Sequence, residues 1–185
     1  MVHTLVYWCN LYEKYKKDAL CLDIEMTSYN KEISLVGLFK PKDGPIDYQA
    51  YIKDENLTAT SLKEAFKGCK LLITYNGCSF DVPMIRKQFP GVLPSKIPVM
   101  DLYLFAKKLD LNTNLKVLEN TLGIDRLDKF TKNRNIAAKL WNKYKRRNDI
   151  KALNTLLEYN KQDTINLYPI AEEFVKLVKK KVSEK

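Results

Sequence analysis

The sequence predicts an α/β domain built on a mixed β-sheet. Two observations carry this reading: short apolar runs bounded by turn residues crowd the first half, and helical periodicity takes over the second. The early runs are joined by tight turns, which pair strands antiparallel, while a later run follows a helix, which pairs it parallel. The chain of 185 residues suits one domain over 1–185 with a core of ordinary size.

Residues 5–17 mix apolar and aromatic side chains with lysines at rough helical spacing, predicting a short amphipathic helix beside the first strand. That strand is 18–25, an apolar run ending in Asp23 and Glu25. The polar stretch 27–31 turns the chain into a second strand, 33–39, and Pro41, Gly44 and Pro45 mark the turn into a third, 46–52. A helix over 60–67 stops at Gly68, and the apolar strand 70–75 beyond it should run parallel to the first. Asn76 and Gly77 bend the chain sharply, Ser79 is a candidate N-cap, and 80–89 can be helical because Pro83 falls in the first turn. After a proline-rich loop the pattern is helical: 100–109, 115–122 closed by Gly123, 135–147, and 150–181, which Pro169 would kink or divide. The lysine-rich end, 176–185, should fray.

Composition excludes several classes. No apolar run approaches the ~20 residues a bilayer-spanning helix needs, so no membrane is expected as a partner. Residues 2–9 lack the basic region and long apolar core of a secretory signal, which predicts a cytoplasmic protein. Cys9, Cys21, Cys69 and Cys78 show no metal-binding spacing and His3 is the sole histidine, so buried free thiols are expected and a zinc site is not. The formal charge is +10, and residues 126–185 hold 16 basic against 7 acidic side chains. That imbalance suits a polyanion, although a lysine-rich helix is more often simply a solvated face.

Strand side chains alternate, so Asp23 and Glu25 share one face. Two adjacent acids repel, and burying either is costly unless a cation compensates; a hard divalent ion, magnesium or manganese, is the natural guest. Alone, the pair also fits a solvated strand end. Tyr159 and Asp163, four apart on the last helix, lie on the stripe that includes Leu156 and Leu167, so an aspartate faces inward. It is either one half of a buried hydrogen-bonded pair or a metal ligand.

Three segments now stand in order: Asp23-x-Glu25, the stretch Tyr75-Asn76-Gly77-Cys78-Ser79-Phe80-Asp81-Val82-Pro83, and Tyr159-Asn160-Lys161-Gln162-Asp163. Together they resemble the three exonuclease motifs of the DEDD superfamily, and the tyrosine four before the last aspartate resembles its tyrosine (DEDDy) subclass. The likeness is greatest to YprB-type ribonuclease H-like domains and extends over about 18–170, through Val99-Met100-Asp101-Leu102, Asn114-Leu115-Lys116-Val117-Leu118-Glu119 and Ala138-x-x-Trp141-x-x-Tyr144. Relatives commonly carry threonine directly after the first-motif glutamate; here that place is Met26, with Thr27 next.

The resemblance implies an RNase H-like fold and a 3′-5′ exonuclease that releases nucleoside 5′-monophosphates with two divalent cations, Mg2+ or Mn2+. It implies that Asp23 bridges the ions, that Glu25 and Asp163 hold the one nearer the attacking water, that Asp81 supports the other, and that Tyr159 orients that water. Nucleic-acid contacts would come from Met26, Thr27, Asn76, Phe80, Lys145, Arg146 and Arg147. By residue type Phe80 reads first as a core residue, and Asn76 equally as a turn residue. Single-stranded DNA is the favoured substrate and RNA the alternative, with a protein partner able to supply specificity. An endonuclease of the same fold, or a module that binds nucleic acid without cutting it, are the competing readings.

Overall fold

The computed structural model describes residues 2–28, 31–41, 47–126 and 136–184. The apolar run before the two acids becomes β1 (Ala19–Met26), the middle strand of a five-stranded sheet ordered β3-β2-β1-β4-β5. β2 (Ile33–Phe39) and β3 (Tyr48–Ile52) continue from it antiparallel, while β4 (Leu71–Thr74) and β5 (Val99–Asp101) lie parallel on its other side. The mixed sheet is therefore as expected: connections short in sequence join antiparallel neighbours, and the crossover through α2 (Ala59–Ala65) joins a parallel one.

Alternation along β1 divides the core. Leu20, Leu22 and Ile24 pack toward α2 and α3 (Asp81–Gln88), where Leu62, Phe66, Val82 and Ile85 are buried. Ala19 and Cys21 face the other layer, formed by α1 (Val2–Tyr15), α4 (Leu102–Lys108) and the long α7 (Ile150–Ser183), with Tyr12, Phe105 and Phe174 at its centre. Asp23 and Glu25 continue that second face, so the strand itself aims both acids at α7. α5 (Leu115–Thr121) stands beside this layer, and α6 (Ile136–Arg147) packs on α7 near the β2–β3 hairpin through Trp141 and Leu156.

Several expectations need correction. Residues 99–101 form β5 where the sequence reads as the start of a helix; only three residues pair with β4, too few to show a strand period, and Asp101 then caps α4 by accepting from the Tyr103 N–H at 3.1 Å. Ser79 does not cap α3: the N-cap position is Phe80, without a side-chain bond, and Ser79 lies in the preceding turn. Pro169 does not divide α7, because Leu167, Ile170, Ala171 and Phe174 around it are buried against the sheet layer. The lysine-rich end stays helical to Ser183, held by buried Val175 and Val178 and by the Lys179–Glu13 ion pair at 2.5 Å. Cys9 and Cys21 are buried free thiols, but Cys69 is half-buried and Cys78 exposed. Residues 42–46, most of the turn before β3, and Tyr29, Asn30 and Asn135 lie outside the described residues. Among the described residues no helix is long and apolar enough to cross a membrane.

Candidate active site

Four acids from three elements converge at the end of β1. Asp23 and Glu25 come from the strand, and Asp163 approaches from the middle of α7; one carboxylate oxygen of each lies within 4.8 Å of the others. Asp81, the first residue of α3, reaches the same strand end from the far side of the sheet, where its Oδ1 accepts from the Ile24 N–H at 3.1 Å. Ile24 sits between the two strand acids, so this bond ties the start of α3 to them.

The turn that delivers Asp81 is built for the purpose. Asn76 takes a left-handed φ of 61°, which asparagine tolerates better than most residues. A side chain at Gly77 would place its Cβ 2.5 Å from the Thr74 side chain, so only glycine fits there. The buried Asp101 carboxylate accepts from the Asn76 and Cys78 N–H groups at 2.8 and 3.0 Å, clamping the turn to the end of β5.

Electrostatics mark the four acids as frustrated. Burial raises the Asp23 carboxyl well above its ordinary range, and the neighbouring Glu25, Asp81 and Asp163 raise it further. Glu25 is raised for the same reasons, by burial first and then by Asp163 and Asp81. Asp81 is lifted from 3.8 to about 7 by burial, against the pull of backbone N–H donors. Asp163 is raised by burial and partly relieved by Arg126. An all-oxygen donor set whose charged forms are disfavoured chiefly by burial fits a hard divalent cation, which would reverse these shifts.

The chain supplies some compensating charge itself. Arg126 pairs with Asp163 through Nη2 and with Glu119 through Nη1, the latter at 3.0 and 2.9 Å to the two carboxylate oxygens. Glu119 is fully buried and also accepts from Asn166 Nδ2 at 2.9 Å. Tyr159 is half-buried, hydrogen-bonded to Asp163, with Lys116 Nζ 5.4 Å and the Arg126 guanidinium 5.7 Å from its ring centre. Burial, followed by the charges of Asp163, Glu25 and Asp23, pushes its phenol up, so it remains a proton donor at neutral pH.

The other sequence candidates lie apart from the acids or at their rim. Phe80 is 44 % exposed beside Asp81, which removes the core reading for it, and Asn76 is exposed in the adjoining turn. Met26 ends β1 half-buried; Thr27 closes the β1–β2 connection, its Oγ1 accepting from the Glu32 N–H at 3.1 Å. Lys145 is paired with Asp54 at 3.0 Å, and Arg146 and Arg147 are exposed at the end of α6. Glu119, Arg126, Asp101 and the contacts of Asn160 were not singled out from sequence. Glu119 could have been: it is an acid inside an apolar helical pattern.

The family model RNase_H_2, described as the RNase_H superfamily, matches residues 20–175. No curated protein and no solved structure matches the chain. The matched stretch opens just inside β1 and closes late in α7, so it takes in every element that contributes an acid to the cluster, and the chain belongs to the RNase H superfamily.

Proposed function

We propose that this protein is a metal-dependent 3′-5′ exonuclease acting on single-stranded nucleic acid, DNA before RNA. Membership of the RNase H superfamily supports a nuclease in general. The observation that carries the finer reading is the convergence of Asp23, Glu25 and Asp163 within 4.8 Å, with Asp81 bonded to the strand between the first two. Asp23, Glu25 and Asp163 would hold one ion, and Asp81 with Asp23 a second. Bound divalent cations supply an acidified water and neutralise charge on the attacking and leaving oxygens. In the overall reaction water adds to phosphorus, the bond to the 3′ oxygen breaks, and a 5′-monophosphate leaves a shortened strand with a 3′ hydroxyl.

The chain's own groups would do the positioning. Tyr159 keeps its proton and can orient a water beside Asp163. The exposed Phe80 ring offers a face on which a terminal base can stack, and Asn76 a hydrogen bond to the same nucleotide. The competing reading, a module that binds without cleaving, is favoured by the Arg126 ion pair, because the chain already neutralises Asp163.

Oligonucleotides of matched DNA and RNA sequence, labelled at either end, test both. The nuclease reading expects mononucleotides from the 3′ end with manganese and none in EDTA; binding without release supports the other. Asp23→Ala, Glu25→Ala, Asp81→Ala and Asp163→Ala should each abolish release, and Tyr159→Phe should slow it on the order of 10²–10⁴-fold. Full activity in purified Asp23→Ala would sink the assignment.

A further inference from the structure

We propose that Asn160 is a positioning residue of the acid cluster: its neutral amide, oriented by Tyr48, holds Asp23 in the arrangement that receives a cation. The inference rests on the metal-nuclease reading and adds to it residues that bind no metal.

Asn160 is 0 % exposed on the sheet-facing side of α7, where an amide must be fully hydrogen-bonded to be tolerated. Its Nδ2 donates to Asp23 Oδ2 at 2.7 Å and lies 3.5 Å from the Asp23 backbone carbonyl. Its Oδ1 accepts from the Tyr48 hydroxyl at 2.8 Å. An ionised carboxylate only accepts, so turning the amide over would set its oxygen against Asp23; the donating Tyr48 hydroxyl at 2.8 Å favours the productive orientation.

The surroundings are shaped around this amide. Gly37 on β2 is the cross-strand partner of Asp23, and a Cβ there would lie 1.9 Å from Asn160 Oδ1 and 2.7 Å from Thr164 Oγ1. Four elements are thereby coordinated: a missing side chain on β2 admits an α7 amide, which a β3 hydroxyl orients onto a β1 acid. Chemistry explains why the residue is an amide. A lysine or arginine at this place would neutralise the strand acids and compete with a metal, whereas an apolar residue would remove the donor to Asp23 Oδ2. The amide occupies one Asp23 oxygen and leaves the negative charge of the carboxylate available.

The test is manganese binding to the full chain, followed by electron paramagnetic resonance of the free ion, with melting temperature in EDTA and separate kcat and KM on a single-stranded oligonucleotide. Asn160→Ala should weaken manganese affinity by about 10–100-fold and lower kcat, with KM nearly unchanged. Tyr48→Phe keeps the ring and removes only the hydroxyl; it should weaken manganese by up to about tenfold. Gly37→Ala, whose added Cβ would meet Asn160 Oδ1 first, should reproduce the Asn160→Ala loss by expelling the amide. Parental manganese affinity and kcat in Asn160→Ala and Tyr48→Phe, with only the melting temperature lowered, would make Asn160 a packing residue and overturn the inference while leaving the nuclease reading intact. Should Asn160→Ala not fold, unchanged affinity in Tyr48→Phe overturns it. A parent chain that neither binds manganese nor cleaves overturns both.

Discussion

At the scale of single residues, Asp81 shows what the acid cluster costs the fold. Its carboxyl titrates near 7 in the folded chain against an ordinary 3.8, because burial opposes its charge. A group raised in this way contributes stability that is fully present below the unfolded value and is lost as pH climbs through the folded one. The window therefore runs from 3.8 up to about 7 for Asp81, and the raised Asp23, Glu25 and Asp163 act in the same direction. In EDTA the protein should melt lower at about pH 8 than at about pH 5, and manganese at the higher pH should recover the difference. Asp81→Asn, which cannot ionise, should reduce the dependence. Equal melting temperatures at both pH values would show the acids to be well solvated. Asp23, Glu25 and Asp163 stand out in the sequence because carboxylates beside or inside apolar patterns are locally conspicuous, whereas Asp81 entered only through the resemblance of its segment to the second exonuclease motif. Asn160 was not legible there: it lies within the third exonuclease-like segment, but its meaning depends on Gly37 and Tyr48, more than a hundred positions away, and no local period records that contact.

At the scale of elements, the Glu119–Arg126–Asp163 chain joins α5 to α7 behind the site. Glu119 and Arg126 are almost fully buried, so breaking the pair strands a charge without solvent, unlike the exposed Lys67–Glu64 pair on the surface. Arg126→Ala should destabilise the metal-free protein by about 3–5 kcal/mol in urea unfolding, and adding Glu119→Gln should restore part of it by removing the stranded acid. A loss under about 1 kcal/mol would class the pair with ordinary surface bridges. Element boundaries followed local signals where those signals suffice. β2 emerged over the expected 33–39, and α5 ended before Gly123 at φ +69°. Prediction failed where tertiary contacts decide: β5 exists because β4 offers an edge to pair with, and α7 survives Pro169 because its neighbours are buried on both sides of that residue. The Glu119–Arg126 pair shares this origin, since no sequence rule places an arginine just beyond α5 against an aspartate of α7.

At the scale of the whole molecule, the order of strands and helices was enough to anticipate a mixed sheet with flanking helices, because connection type dictates pairing direction. Charge placement was legible as a count but not as a surface. Of the positive residues in the last third, Arg126 is turned inward to Asp163, Lys145 is matched to Asp54, and Lys179 is matched to Glu13, so the formal excess overstates the charge offered to a phosphate backbone. Arg146 and Arg147 remain exposed at the end of α6, the helix that packs on the acid-bearing α7. If they follow a single strand, each phosphate they neutralise releases condensed counterions, and log affinity should fall with log salt by about 0.7 per contact. Binding is best measured in calcium or with Asp23→Asn, so that the strand is not consumed. Arg146→Gln with Arg147→Gln should then flatten the slope by about 1.4 and weaken DNA and RNA alike, since phosphate contacts carry no base or sugar identity. A Lys145→Gln control should change it less, because breaking the Asp54 pair also releases a negative charge. An unchanged slope in the double variant would return the end of α6 to a solvated helix terminus and move the search for the strand's path to the face that presents Asn76 and Phe80.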